Sequence, residues 1–235
     1  VMEAANIPVI TKLSPNISHI TDPGLAAVQG KTDAISLINT IKSIVGIDLD
    51  SYAPYPVVDG KGTNGGYCGP AVKPIALNML KDLMKHPEIK NTPISGIGGI
   101  ENWRDVVEFI LLGATSVQVC TAVMHYGFGI VRELESGLVN FMEDKGYTTI
   151  YDFAGKALPN VKEWKHLNLK SQVKAKINED KCIGCELCYI ACDDGAHQAI
   201  ALTTEGGRIP TIIEDNCVGC NLCALVCPVE ECITM

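Results

Sequence analysis

Apolar positions in the first 170 residues alternate between short continuous runs and longer stretches spaced as on a helix. The runs at residues 8–13, 34–39, 93–96 and 115–120 are rich in Ile and Val and are bounded by polar residues or glycine, so they read as strands. After the third run, Trp103, Val106, Val107, Ile110 and Leu111 form one helical stripe, with Gly113 placed as its stop. A second helix is predicted over 129–145, with Ile130, Leu134, Leu138 and Phe141 facing inward and Gly146 ending it. A third occupies 75–85, after Pro70 and Pro74. Strand and helix alternating in this way is the pattern of a parallel α/β architecture. A stretch rich in Gly, Pro, Asp and Tyr, residues 46–69, interrupts it between the second and third strands. Irregular connections of that length are functional or disordered. Four such units are the carboxyl-terminal half of a TIM (β/α)8 barrel; an open four-stranded sheet is the alternative that periodicity leaves.

Beyond residue 170 the apolar periodicity gives way to cysteine. Nine of the eleven cysteines fall within 182–235, as two copies of one spacing displaced by 35 residues. The first copy is Cys182, Cys185, Cys188 and Cys192; the second is Cys217, Cys220, Cys223 and Cys227, followed by Pro228. This is the two-cluster ferredoxin spacing, in which the fourth cysteine of each run ligates the other run's cluster. It predicts one 4Fe-4S cubane on Cys182, Cys185, Cys188 and Cys227 and another on Cys217, Cys220, Cys223 and Cys192. Structural zinc and disulfides compete with this reading; eight soft thiolates at a double spacing favour the clusters. Gly184 and Gly219 suit the tight turns that two-residue gaps demand. The chain thus divides into an α/β domain, 1–170, and a small α+β ferredoxin-like domain, 171–235.

The repeat extends past the ligands, since Asp180 to Gly184 aligns with Asp215 to Gly219 and Ala199 to Leu202 aligns with Cys232 to Met235. Cys232 therefore matches Ala199 and reads as a small core residue rather than a ligand. One departure is Asp193 after Cys192, where the second copy has proline. A carboxylate beside a cluster makes reduction harder, because reduction adds negative charge.

Charge is divided unevenly. Residues 1–176 carry 17 basic and 17 acidic side chains, whereas 177–235 carry 2 and 10, so the net charge of −8 lies in the cluster region. That balance argues against nucleic acid and for a basic redox partner. No apolar run approaches the ~20 residues needed to span a bilayer. A soluble, cytoplasmic protein is expected.

Two strand ends carry candidate chemistry. The third strand runs into Ile97-Gly98-Gly99-Ile100 and the fourth into Cys120-Thr121. In TIM barrels, loops after the last two strands often bind phosphate through backbone N–H groups. Lys12, inside an apolar strand, either reaches solvent or sits at a strand's carboxyl end in a site.

Together the segments 11–16, 38–40, 65–77, 98–100 and 117–122 closely resemble the iron–sulfur/FMN subunits of NAD-dependent dihydropyrimidine dehydrogenases, relatives of the dihydroorotate dehydrogenases. The resemblance runs over essentially the whole chain, the cysteine tail included. It implies an FMN-binding barrel in which Lys12 contacts the flavin and stabilises negative charge on it. Gly69, Ile97, Gly98, Gly99, Cys120 and Thr121 then match the ribityl-phosphate positions, and Asn39 and Thr40 the pyrimidine-binding pair. Cys68 is expected as a pocket wall, Cys120 as barrel core acting through its backbone, and Lys73, near two prolines, as a surface or loop charge. The implied reaction reduces the 5,6 double bond of uracil or thymine. Electrons come from NADH through a separate FAD flavoprotein subunit, so a hetero-oligomer is expected.

The family's general-acid cysteine and first four barrel strands would lie upstream of Lys12. The chain is therefore expected to be the carboxyl part of a longer polypeptide, with no catalytic acid of its own among these residues. Two alternatives stand beside this reading: a dihydroorotate dehydrogenase-like flavoenzyme, and an electron-transfer module whose α/β part does no chemistry.

Overall fold

The computed structural model describes residues 2, 4–202 and 208–235. Two compact units, Val1–Val161 and Lys162–Met235, divide the chain a little before the boundary at 170/171 expected from the sequence.

The first unit opens with strand β1 (Ile10–Lys12), helix α1 (Thr21–Gln29) and strand β2 (Ala34–Leu37). A hairpin follows, β3 (Ile41–Ser43) with β4 (Gly65–Tyr67), and then helix α2 (Lys73–Lys85). Strand β5 (Ile94–Ile97), helix α3 (Trp103–Leu111), strand β6 (Ser116–Gln118) and helices α4 (Thr121–Tyr126) and α5 (Ile130–Lys145) complete it. Strands β1, β2, β5 and β6 form one parallel sheet in chain order. All four expected strands are present, three shorter than their apolar runs and β5 shifted by one residue. Helices α1, α2, α3 and α5 pack successively against one another.

Alternation divides the sheet's faces. Ile35, Leu37 and Ile94 are fully buried, and Gly96 lies under the Phe109 ring of α3, so this face meets the helices. The other face carries Lys12, Ser36, Ser95 and Ser116, aligned across the four strands by the parallel register. Burial of the apolar face, at roughly 1.5–3 kcal/mol per large side chain, holds the layers together.

Helix α3 starts on a capping box: the Asn102 side chain accepts from the Arg104 and Asp105 N–H groups, and Asp105 reaches back to the Asn102 N–H. Helix α2 begins two residues earlier than expected because Pro74 fits a first turn, where its missing N–H costs nothing. Gly146 ends α5 in the left-handed conformation. Beyond it, Phe153 is fully buried and stacks on Tyr147, 5.1 Å between ring centres.

The second unit contains β7 (Lys176–Ile177), α6 (Leu187–Asp193) and β8 (Ile200–Leu202), then β9 (Pro210–Ile212), α7 (Leu222–Leu225) and β10 (Ile233–Thr234). Strand β7 pairs antiparallel with β10, and β8 with β9. Each ribbon therefore joins one strand from each sequence copy, and α6 packs on α7. Among the described residues, no helix is long and apolar enough to cross a membrane.

Candidate active site and cluster sites

The carboxyl ends of the four parallel strands and the β3–β4 hairpin surround one pocket in the first unit. It encloses some 620 Å³ up to an open mouth, within the range of small-molecule sites. Lys12 enters from the end of β1, and Asn39 and Thr40 from the end of β2. Gly69 comes from the segment after β4, Ile97, Gly98 and Gly99 from the end of β5, and Cys120 and Thr121 from the end of β6. The nine flavin and pyrimidine positions anticipated from the sequence thus line a single pocket.

Local hydrogen bonds explain the arrangement. The Asn39 N–H donates to Leu13 O (3.0 Å) and the Ile38 N–H to Ile97 O (2.8 Å), stitching the ends of β1, β2 and β5 together. Asn16 receives the Lys42 N–H (2.7 Å) and donates to Thr40 O (3.1 Å), pinning the hairpin base beside the pocket. Gly66 lies so close to Thr40 that a Cβ there would stand 2.2 Å from its hydroxyl.

A polar web behind the pocket was not anticipated. Gln118, in the lining, donates through Nε2 to Ser36 Oγ (2.9 Å) and Ser95 Oγ (2.8 Å), and Ser116 Oγ donates to Ser95 Oγ (2.8 Å). Ser36 and Ser95 are buried polar residues, which persist in a core when they are hydrogen-bonded. The available signal was a serine within each of two otherwise apolar strands. Tyr67, from the 65–77 segment of the resemblance, and Glu101, which the sequence did not single out, also line the pocket.

The thiols differ from expectation in part. Thr121 Oγ1 donates to Cys68 Sγ at 3.3 Å, and Cys68 lies in the pocket wall. Cys120, expected as core, is exposed, because it stands past the end of β6 as the residue capping α4 rather than inside the sheet.

Lys73 is neither a surface nor a loop charge. It is the first residue of α2, with its Nζ 2.5 Å from Asp105 Oδ1 and 2.9 Å from Glu108 Oε2. Burial pulls its ammonium toward neutrality, and the two carboxylates outweigh that, leaving its pKa above the usual lysine range. Burial likewise pushes Asp105 up, but Lys73 and the N–H groups of Glu101 and Asn102 hold it below the usual carboxylate range.

In the second unit the cysteines surround two hollows. One is lined by Cys182, Cys185 and Cys188 of the first copy and Cys227 and Cys232 of the second; the other by Cys217, Cys220 and Cys223 of the second copy and Cys192 of the first. The exchange of strands between copies carries each fourth cysteine across. Among the described residues, no three His, Cys, Asp or Glu side chains sit so as to share one metal ion. Thiols ranged around a hollow, rather than converged on a point, fit a cubane better than a single zinc. Backbone N–H groups also aim at sulfur: Ala199 at Cys192 (3.2 Å) and Ala175 at Cys217 (3.5 Å). Burial raises the Cys188 and Cys223 thiols, so a cation would have to offset their ionisation. Cys232, fully buried, has its thiol pushed up to about 11 by burial and by neighbouring Cys227 and Cys182. It donates to Asn178 O (3.7 Å) from the core of this unit.

Comparison with known proteins matches residues 1–142, more than half of the sequence, to the dihydroorotate dehydrogenase family. The chain belongs to that family. Residues 175–235 match a 4Fe-4S dicluster domain, which in this family member follows the α/β unit in sequence. It is 44% identical over 200 residues to the NAD-dependent dihydropyrimidine dehydrogenase subunit PreA of Escherichia coli, 85% of this chain and 49% of that protein. With the catalytic subunit of dihydroorotate dehydrogenase B (NAD(+)) from Pyrococcus horikoshii it shares 44% identity over 158 residues, 67% of this chain and 50% of the relative. With the chloroplastic dihydropyrimidine dehydrogenase (NADP(+)) of Arabidopsis thaliana it shares 43% over 157 residues, 66% of this chain and 37% of the relative. The chain spans about half the length, or less, of these relatives.

Proposed function

We propose that this chain supplies the flavin- and pyrimidine-facing half of a dihydropyrimidine dehydrogenase, together with its iron–sulfur relay. The observation that carries the reading is the pocket in which Lys12, Asn39, Thr40 and the backbone of Gly98 and Gly99 face one another. The four-stranded sheet is then the carboxyl-terminal half of a (β/α)8 barrel, its serine-bearing face turned to the barrel interior. Its edges at β1 and β6, unpaired among the described residues, and the exposure of Ile10 (58%) support that inference.

In this reading FMN, when bound, supplies hydride transfer, and two 4Fe-4S clusters supply electrons singly. Lys12 sets a fixed positive charge at the flavin edge, offsetting negative charge that accumulates on reduction. The Asn39 amide and Thr40 hydroxyl offer donors and acceptors to the imide of a uracil-type ring and orient its 5,6 double bond. Gly69, Gly98 and Gly99 bring bare backbone close enough to cradle a phosphate, with Ile97, Cys120 and Thr121 beside them. Cys182, Cys185, Cys188 and Cys227 hold one cluster, and Cys192, Cys217, Cys220 and Cys223 the other. Reducing the ring takes two electrons and two protons. The final proton needs a donor, and no residue of the pocket is assigned that role. An FAD-containing, NADH-oxidising partner subunit is the proposed electron source, making a hetero-oligomer.

A dihydroorotate dehydrogenase activity is the second reading, favoured by equal identity to the Pyrococcus subunit over 158 residues. Against it, the PreA match of 200 residues is too long to lie within the first unit and extends into the cysteine-bearing one. The test is the cofactor content of the intact protein followed by anaerobic reduction. FMN and about eight irons are expected, with dihydrouracil bleaching the flavin band. Bleaching by dihydroorotate alone would support the second reading; absence of FMN would leave an electron-transfer module.

A further inference from the structure

We propose that Lys73 is a positioning residue that fixes the phosphate-binding backbone of the pocket without touching the ligand. The inference rests on the FMN reading above. Lys73 and Asp105 do not line the pocket, whereas Gly69, Gly98 and Gly99 do. The two segments that carry those glycines are pressed backbone to backbone. A Cβ on Gly99 would lie 2.8 Å from Gly69 O and 2.9 Å from Lys73 Cβ, so any gap between the segments would change where both walls stand.

One carboxylate fastens them. Asp105, 4% exposed, takes the Lys73 ammonium on Oδ1 (2.5 Å) and the N–H groups of Glu101 (2.8 Å) and Asn102 (3.0 Å) on Oδ2. Lys73 is the residue at which α2 leaves the Gly69 segment, and Glu101 and Asn102 are where the Gly98–Gly99 segment enters α3. Glu108 Oε2, otherwise without a hydrogen-bond partner, lies 2.9 Å from the same ammonium and holds it in line. The Lys73 side chain, only 25% exposed, therefore ties the Gly69 wall to the carboxylate that already holds the Gly99 wall to α3. Removing its charge frees the Gly69 wall to shift against the Gly99 wall by fractions of an ångström, enough to misalign N–H groups with a phosphate.

A test separates positioning from mere stability. The intact protein is stripped of flavin and titrated with FMN and with riboflavin, which lacks the phosphate, well below the melting temperature of each variant. Lys73→Met should weaken FMN by about tenfold or more, as for other residues that support a binding group, and leave riboflavin affinity unchanged. Lys73→Arg, whose guanidinium can span both carboxylates, should restore most of the FMN affinity. Equal loss of both ligands, or no loss of either, would overturn the proposal. Should Lys73→Met fail to fold, Glu108→Gln decides by the same ratio, with a two- to threefold loss of FMN alone expected and an unchanged ratio counting against it. A wild-type protein that binds neither flavin would instead refute the FMN reading itself.

Discussion

Glu186 and Asn221 occupy the same left-handed turn position in the two cysteine copies, with φ of 64° and 66°. Each follows the second cysteine of its run and lines the hollow of that run's set. The duplication therefore presents one backbone with and without a carboxylate. Asp193, the acidic residue singled out in the sequence, is exposed and lines neither hollow, while Glu186 is part of a wall. Arg208, 3.7 Å away and largely exposed, offsets Glu186 in part. A screened charge at this range is worth up to about 1 kcal/mol, or roughly 40 mV for one electron. Glu186→Asn should raise the midpoint of the cluster on Cys182, Cys185, Cys188 and Cys227 and leave the other in place; Asn221→Glu should lower the other. Potentiometric titration followed by electron paramagnetic resonance checks both. Midpoints that move together, or not at all, would exclude the local effect.

Gly96 lies in mid-strand with no room for a side chain: a Cβ would stand 2.4 Å from Phe109 Cδ1, and Phe109 is fully buried. Gly96→Ala should cost about 1–3 kcal/mol by overpacking. Phe109→Leu added to it should recover part of that loss, although alone it would destabilise. Urea denaturation of the two single variants and the double gives the coupling, and strict additivity would contradict the contact.

Most of the first unit's elements were legible because each carries its own period. The stripe from Trp103 to Leu111 with Gly113 beyond it, and the run to Lys145 closed by Gly146, need no distant information. Helix α1 was missed because its sequence contains proline and glycine; Gly24 is there because Leu83 and Ile89 of another segment leave no space for more. Strand β4 is Gly-Gly-Tyr, which has no strand propensity until Ile41–Ser43 pairs with it. Lys12 and the strand ends at Gly98-Gly99 and Cys120-Thr121 were legible from position, but Asn39 and Thr40 only through resemblance, since nothing in Asn39-Thr40 taken alone points to a ligand. Lys73 was misread for a physical reason: its partners lie 32 and 35 positions away in sequence, brought near by packing of α2 on α3.

Asp105 sets an acid limit on the first unit. Its folded pKa is depressed, so its contribution is present above the unfolded carboxylate value of about 3.9 and is lost as pH falls through the folded one. Asp105→Asn should lower stability at pH 7 by about 1–3 kcal/mol, because it leaves the Lys73 charge less well paired. The gap between the variant and the natural protein should narrow below about pH 4. Fluorescence of Trp103, in the same helix, reports unfolding once exposed Trp164 is replaced by Phe. A gap that persists unchanged at pH 3 would remove Asp105 from the acid response.

The strand exchange in the second unit makes its cysteines separable by experiment. Because β7 pairs with β10 and β8 with β9, Cys192 should fail together with Cys217, and Cys227 together with Cys182. Cys192→Ala and Cys217→Ala are each expected to abolish the same cluster signal, although Cys192 lies in the other copy of the repeat. Cys232 approaches Cys227 and Cys182 closely enough to be mistaken for a ligand, yet burial pushes its thiol up and it donates to Asn178 O. Cys232→Ala should therefore keep both clusters and all of about eight irons, losing only about 1 kcal/mol of packing. Iron analysis and low-temperature spectra of the three variants decide the matter. Loss of a cluster in Cys232→Ala would make the ninth cysteine a ligand, and loss of different clusters in Cys192→Ala and Cys217→Ala would mean that each copy binds its own.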